Sequence, residues 1–311
     1  MPIASLAIIQ DIISRMASAT AVRSASPLAA AVLEHLARER RVTLAVDADR
    51  SWLRQLTPNF AQLLDDMEGN QSLYRVQRGR YVVAPRATSR LDQAAPVELL
   101  VDLALRDQGD YYLGFLTALI AHGLTDLHGH VTYAAIHRDS TLGTSALNLG
   151  GRSIKLVRLA PSRWPHDLRE RERQRILPRT QEFAWRSSLE RTLVDGVLRP
   201  DLCAGIETVV GAWAKAQRAR LADWAAVWKS AQACGNSVAR RAAYLLCEIG
   251  QEALVADDLP ALRKTRARVL LDRSDGFGLN DQHPPRDPRT GLVLNVPAGA
   301  VSGWLAAGGI G

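Results

Sequence analysis

Residues 111–136 read YYLGFLTALIAHGLTDLHGHVTYAAI, and residues 187–213 read SSLERTLVDGVLRPDLCAGIETVVGAW. In the first, an apolar run led by aromatics has helical spacing as far as His122-Gly123, where glycine closes the helix. Val131 to Ile136 then has the composition of a strand. In the second, a helix opens with Glu190-Arg191-Thr192-Leu193, breaks at Pro200-Asp201 and passes through Gly205 into another helix. Helix and strand mixed in this way predict an α+β chain.

Upstream the pattern is that of a separate small domain. Leu28, Val32, Leu33 and Leu36 recur at helical spacing, and Val42 to Val46 reads as a short extended piece. Trp52, Leu53 and Leu56 mark a second helix. Thr57-Pro58 then reads as a fresh start, with threonine as N-cap and proline at the first helical position. Phe60, Leu63, Leu64 and Met67 form the buried stripe of a third helix, ended by Gly69-Asn70. Leu73 to Val83 follows as two strands around a turn at Arg78-Gly79. Three helices and a basic hairpin are the order of a winged helix-turn-helix. In that fold the third helix enters the major groove and the wing grips the neighbouring backbone.

Asn59 and Gln62 are the candidates for base edges, because an amide can pair bidentately with adenine. Thr57 is placed to bind phosphate at a helix N-terminus. Arg75, Arg78 and Arg80 alternate along the hairpin and are expected to face phosphate together, with Arg86 just beyond. The same residues also fit a solvated hairpin and ordinary surface polars. Asp65, Asp66 and Glu68 on the third helix would oppose DNA unless they face away.

Pro85 to Pro96 reads as a polar linker, and Val97 to Arg106 as a helix. Ser153 to Leu159 reads as a strand, and residues 163–179 as a solvated loop or short helix. Val238, Ala242, Leu245 and Ile249 make one helix face. Arg268 to Leu271 and Leu292 to Val296 look like two strands, and the tail from 307 looks frayed. Residues 1–24 read as an accessory helix or leader.

Other constellations point away from catalysis. His122, His128 and His130 have chelating types but lack a third and fourth ligand beyond Asp126. Ser187 and Glu190 have capping-box spacing, and Arg191 and Asp195 lie four apart on one helix, where they can pair. Gly150-Gly151-Arg152-Ser153 could open a nucleotidyltransferase motif, but Ile154 to Arg158 supplies no carboxylate for metal. There is no P-loop, dinucleotide fingerprint or G-x-S-x-G elbow.

The 311-residue chain has a net charge of +7 and a pI near 9.7, which permits a polyanionic partner. Arginine far outnumbers lysine, which occurs only at Lys155, Lys215, Lys229 and Lys264. Cys203, Cys234 and Cys247 show no disulfide spacing, which fits a reducing cytoplasm. The N-terminus has no basic leader, and no apolar run is long enough to cross a membrane.

YRVQRGRYVVAP at 74–85, YYLGFLTALIAHGLTD, ERTLVDGVLRPDLCAG and ARRAAYLLCEIG at 239–250 together resemble the AbiEi family of abortive-infection antitoxins. The resemblance spans residues 27–300. It implies a winged helix over 27–85 and, after the linker over 86–96, an antitoxin domain over 97–300 that is mixed α/β and helix-rich. The N-terminal extension over 1–26 departs from the family, and a tail over 301–311 lies beyond the resemblance. It further implies a non-enzymatic cytoplasmic regulator, with no cofactor and no metal. Such a regulator binds inverted repeats in double-stranded promoter DNA, self-associates there and counters a neighbouring nucleotidyltransferase-fold toxin. A protein-interaction adaptor and a nuclease-like enzyme are the competing readings. The acidic third helix departs from the expected pattern.

Overall fold

The computed structural model describes residues 26–84, 95–107, 109–165, 167–177, 180–264, 267–273 and 284–308. The expected helix over 1–24, Arg86 and most of the expected linker lie outside them. The fold is α+β. Its chain divides into two compact units. One comprises residues up to Tyr111 with Thr141–Ile154 and Arg173–Trp185; the other comprises Tyr112–Ser140, Lys155–Glu172 and Arg186 onward.

The first unit begins with α1 (Pro27–Arg38), where Ser26 Oγ accepts from the Ala29 N–H at 3.2 Å and Pro27 takes the first position. There follow β1 (Thr43–Ala45), α2 (Val46–Leu56), α3 (Phe60–Gly69), β2 (Leu73–Gln77) and β3 (Arg80–Val83). The three strands form an antiparallel sheet in the order β1-β3-β2. The spacing of apolar residues in the sequence places the core here. Val32, Leu36, Leu44, Leu53, Met67 and Leu73 are completely buried in one cluster. Each such side chain contributes roughly 1.5–3 kcal/mol relative to exposure.

Next comes α4 (Val97–Leu105), whose residues from Leu99 to Leu105 are all buried. Its Asp102 accepts from the Tyr111 hydroxyl and from Arg106, and Gln77 donates to the Leu103 carbonyl at 3.1 Å, tying the helix to β2. Burial and the Asp102 carboxylate push the Tyr111 hydroxyl far above its ordinary range.

The returning segment contributes Glu182, which is 2% exposed. Its carboxylate accepts from the Val42 N–H at 3.1 Å and from the Thr43 hydroxyl at 2.8 Å. This pairing satisfies a strand-end donor that would otherwise be buried without a partner.

Beyond Leu105 the chain runs through β4 (Tyr111–Leu113), α5 (Phe115–Ala121), β5 (Val131–His137), β6 (Ala146–Leu149), β7 (Arg152–Leu159), β8 (Arg171–Arg175) and β9 (Phe183–Ser187). These strands form a sheet in the order β6-β7-β5-β4-β9-β8, in which Leu113 pairs parallel with Arg186. The helices α6 (Leu189–Leu198), α7 (Ile206–Arg218), α8 (Trp224–Ala233), α9 (Asn236–Glu248), α10 (Leu259–Lys264) and α11 (Ala300–Ala307) complete the chain.

Several expectations need correction. The aromatic start of the 111–121 run is a strand, because Tyr111, Tyr112 and Leu113 are buried on both faces and show no alternation. At Gly114 the backbone passes so close to Tyr112 that a Cβ would meet its ring at 2.8 Å. Residues 163–179 are neither loop nor short helix alone, because they contain β8. Arg268 to Leu271 and Leu292 to Val296 make isolated bridges, Leu270 with Val293 and Arg286 with Val293, in place of two strands. The helix α11 ends at Ala307, where the frayed tail is expected to begin, and Arg218 donates to its Leu305 carbonyl at 2.9 Å.

In the second unit the ERTLVD segment builds a buried ionic centre. The cap of α6 is Ser188, whose hydroxyl accepts from the Arg191 N–H, so the expected Ser187–Glu190 box is not formed. Glu190 instead accepts from the Asp223 N–H at 3.2 Å. Arg191 and Asp195 are 1% and 0% exposed and pair at 2.8 Å, as their spacing predicts. The Tyr112 hydroxyl donates to Asp195 at 3.0 Å, and Arg191 also donates to the Arg163 carbonyl. Burial is the largest single effect on Arg191 and opposes its charge, but Asp195, Tyr112, Cys234 and Glu170 together outweigh it and raise the guanidinium further above its ordinary range.

His122 closes α5 and shares a 2.9 Å hydrogen bond with the Ser187 carbonyl. Burial and then Arg186 lower its pKa. His122 thereby has a structural partner of its own. Among the described residues no group of His, Cys, Asp and Glu is arranged to hold a metal.

Replacing Glu182 by alanine leaves the Val42 N–H and Thr43 hydroxyl unsatisfied, which should cost roughly 2–4 kcal/mol. Urea unfolding of Glu182→Ala measures it. A loss below ~0.5 kcal/mol would show that the carboxylate does not hold β1 to the returning segment.

Candidate nucleic-acid interface

The sequence brings Thr57, Asn59, Gln62, Arg75, Arg78 and Arg80 into one small unit, but not as one surface. Thr57 ends α2, its N–H donating to the Leu53 carbonyl. Its hydroxyl accepts from the Asn59 N–H at 3.3 Å. This local bond closes a turn across Pro58, so α3 starts at Phe60 with Asn59 as its N-cap, two residues later than the Thr57 cap expected. The Asn59 side chain makes no capping bond and is exposed.

Along α3, Leu63, Leu64 and Met67 face the core. Gln62, Asp65 and Asp66 are exposed. Gln62 donates to Asp66 at 2.9 Å, one turn on. The acidic residues that looked hostile to DNA are partly neutralised from the hairpin. Arg75 reaches back from β2 to Asp65 and Glu68, both at 2.8 Å, and lies 5.5 Å over the Tyr81 ring.

Arg80 goes elsewhere. In a regular two-residue hairpin around Arg78-Gly79, Arg75 and Arg80 would share a face. The observed register pairs Gln77 with Arg80 but Arg75 with Tyr81, leaving Val76 as an extra residue. Such a bulge flips every side chain beyond it to the opposite face. Arg80 is only 9% exposed and pairs with Asp47 of α2 and with Asp107. The Asp47 carboxyl is held down at about 2, chiefly by its hydrogen bonds from Arg80. The expectation of three arginines aimed together at phosphate is therefore corrected: Arg75 is spent on α3, Arg80 is a buried tie, and Arg86 lies outside the described residues.

Arg78 remains. It is exposed at the turn and pairs with no carboxylate among the described residues. The turn requires Gly79, which sits at φ +74°, and a Cβ there would lie 3.6 Å from Val46 at the start of α2. One and two helical turns on from Val46, Arg50 and Arg54 are exposed, and they too pair with no carboxylate among the described residues. The apolar stripe of α2 does not point to these two arginines, so the sequence pattern does not single them out. Their spacing of four was the available signal.

No family model matches this chain, and no curated protein matches it. Its fold is similar to that of the RV2827C protein from Mycobacterium tuberculosis, seen in a crystal structure. The two share 16% identity and a TM-score of 0.62 over 91% of this chain and 94% of that one. At that identity the similarity is one of fold.

The geometry separates two kinds of arginine, and their replacement should read differently. Arg80→Ala removes charge-assisted bonds from a buried guanidinium, but its partners are partly exposed, so the cost should be roughly 1–2 kcal/mol in urea unfolding. Arg78→Ala should stay within about 0.5 kcal/mol of wild type. Equal costs would contradict the assignment of Arg80 as a tie.

Proposed function

We propose that this protein is a DNA-binding regulator of the antitoxin class, and not an enzyme. In this reading residues 26–84 act as a winged helix on promoter DNA. The observation that carries it is the element order helix–strand–helix–helix–strand–strand closed by a β1-β3-β2 sheet, the arrangement in which a wing flanks an exposed third helix. The sequence resemblance to AbiEi antitoxins over the quoted motifs supplies the class. It also supplies the proposed counterpart, a toxin of nucleotidyltransferase fold encoded beside it.

The DNA contacts are assigned to exposed groups; the Gln62 amide gives one N–H to Asp66 and keeps a second N–H and its oxygen. The N-terminal end of α3 presents Asn59 and Gln62 to base edges. Arg78 on the wing and Arg50 and Arg54 on α2 supply phosphate contacts. Arg75 works indirectly, by offsetting part of the charge of Asp65 and Glu68 so that α3 can approach a polyanion. Among the described residues no helix is long and apolar enough to cross a membrane. A second reading, an adaptor that binds a basic protein, is favoured by the carboxylates of α3 themselves.

A charge-neutralisation series separates these readings. Arg75→Ala should weaken promoter binding in a gel shift, and adding Asp65→Asn and Glu68→Gln should restore it. Failure of the triple variant to recover would mean Arg75 touches phosphate directly, while absence of any promoter binding by wild type would favour the adaptor. Co-expression with the neighbouring toxin gives the antitoxic half: growth should be rescued by wild type, and no rescue would remove the antitoxin assignment.

A further inference from the structure

Strand β8 reads RERQR and has no apolar residue, yet it holds the last place in its sheet. Alternation puts Arg173 and Arg175 on one face and Glu172 and Gln174 on the other. On β9, Phe183 and Trp185 share one face, while Ala184 is buried on the other, as is Glu182 just before the strand. The Arg173 guanidinium lies 4.5 Å from the Phe183 ring centre and 5.9 Å from that of Trp185. The Arg175 guanidinium lies 5.3 Å from Phe183.

Both arginines are exposed, both rings are half-buried, and neither arginine pairs with a carboxylate among the described residues. The nearby carboxylates are engaged from the opposite faces, Glu172 by Arg186 and Glu182 by Val42 and Thr43. Arginines on an edge strand also discourage sheet-to-sheet pairing, but that role needs only charge. It does not need guanidinium groups held over aromatic rings, as both arginines are over Phe183.

We propose that this face is a platform for single-stranded RNA. A guanidinium backed by an aromatic ring keeps its outer plane for a nucleobase and its N–H edge for phosphate. Alternate residues of a strand are about 6.6 Å apart, roughly twice the 3.4 Å step of a base-paired strand. Bases must therefore be unstacked for each arginine to take one, which a duplex does not allow. Stacking of unstacked, single-stranded bases on aromatic and arginine planes is the prevailing mode of sequence-specific RNA recognition. The platform is separate from the residues assigned to promoter DNA, so Arg173 and Arg175 variants should leave promoter binding unchanged.

The test is fluorescence anisotropy of full-length protein with a labelled single-stranded RNA of about 12 nucleotides and mixed sequence. Wild type should bind it at least about tenfold more tightly than the RNA duplex of the same sequence. R173E/R175E should abolish binding. R173K/R175K keeps the charge but loses the planar stack, and should lose about tenfold, as should Phe183→Leu. Circular dichroism and thermal melting check that each variant is folded. Should a variant fail to fold, the wild-type comparison of single strand with duplex still decides. The proposal is overturned if wild type binds duplex RNA as tightly as single strand, binds neither, or is matched in affinity by folded R173K/R175K.

Discussion

The extra residue at Val76 decides how the first unit uses its charge. A hairpin without it would carry Arg75 and Arg80 on one face, and both would look outward as a basic wing. With Val76 bulged, Arg75 faces Tyr81 and α3, and Arg80 turns under the sheet to Asp47 and Asp107. Bulges commonly re-aim side chains in this way. Here the result is that the hairpin is fastened at two points. Its turn, held by Gly79 against Val46, is the part left to present a cation.

The same use of arginine recurs deeper in the chain. Arg191 is enclosed with Asp195 and Tyr112, and Arg240 donates from a fully buried position to the Thr290 and Ala267 carbonyls. Arg241 donates to the Leu270 carbonyl. A buried guanidinium is tolerated only when its donors are met, and arginine's five donors in a fixed fork suit irregular carbonyl-rich loops. Much of the chain's high arginine content thus serves internal fastening. Net charge alone is consequently a weak guide to where a polyanion would bind.

Apolar spacing made the helices and the hairpin legible. Leu63, Leu64 and Met67 placed α3, and Val131 to Ile136 placed β5. Three kinds of feature were hidden. Tyr111 to Leu113 is buried on both faces, so a strand carried no alternation to read. Arg171 to Arg175 is an edge strand held by neighbours and not by its own apolar residues, so charge disguised it as loop. The cap of α3 fell at Asn59 because a Thr57 hydroxyl bond to the Asn59 N–H, which no propensity reports, delayed the helix. The candidate site was legible as residue types and not as faces, since a single bulged residue separated Arg75 from Arg80. Arg50 and Arg54 are readable at their spacing of four, on a helix whose apolar stripe does not point to them.

The central claim is that Arg78, and not Arg80, meets phosphate from the hairpin. It is tested most directly by the salt dependence of promoter affinity, taken from roughly 50 to 200 mM for wild type, Arg78→Ala and Arg80→Ala. The account expects a linear fall of log affinity with log salt. Arg78→Ala should make it shallower by about one, and folded Arg80→Ala should leave it as in wild type. A slope unchanged by Arg78→Ala, or made shallower by Arg80→Ala, would contradict it.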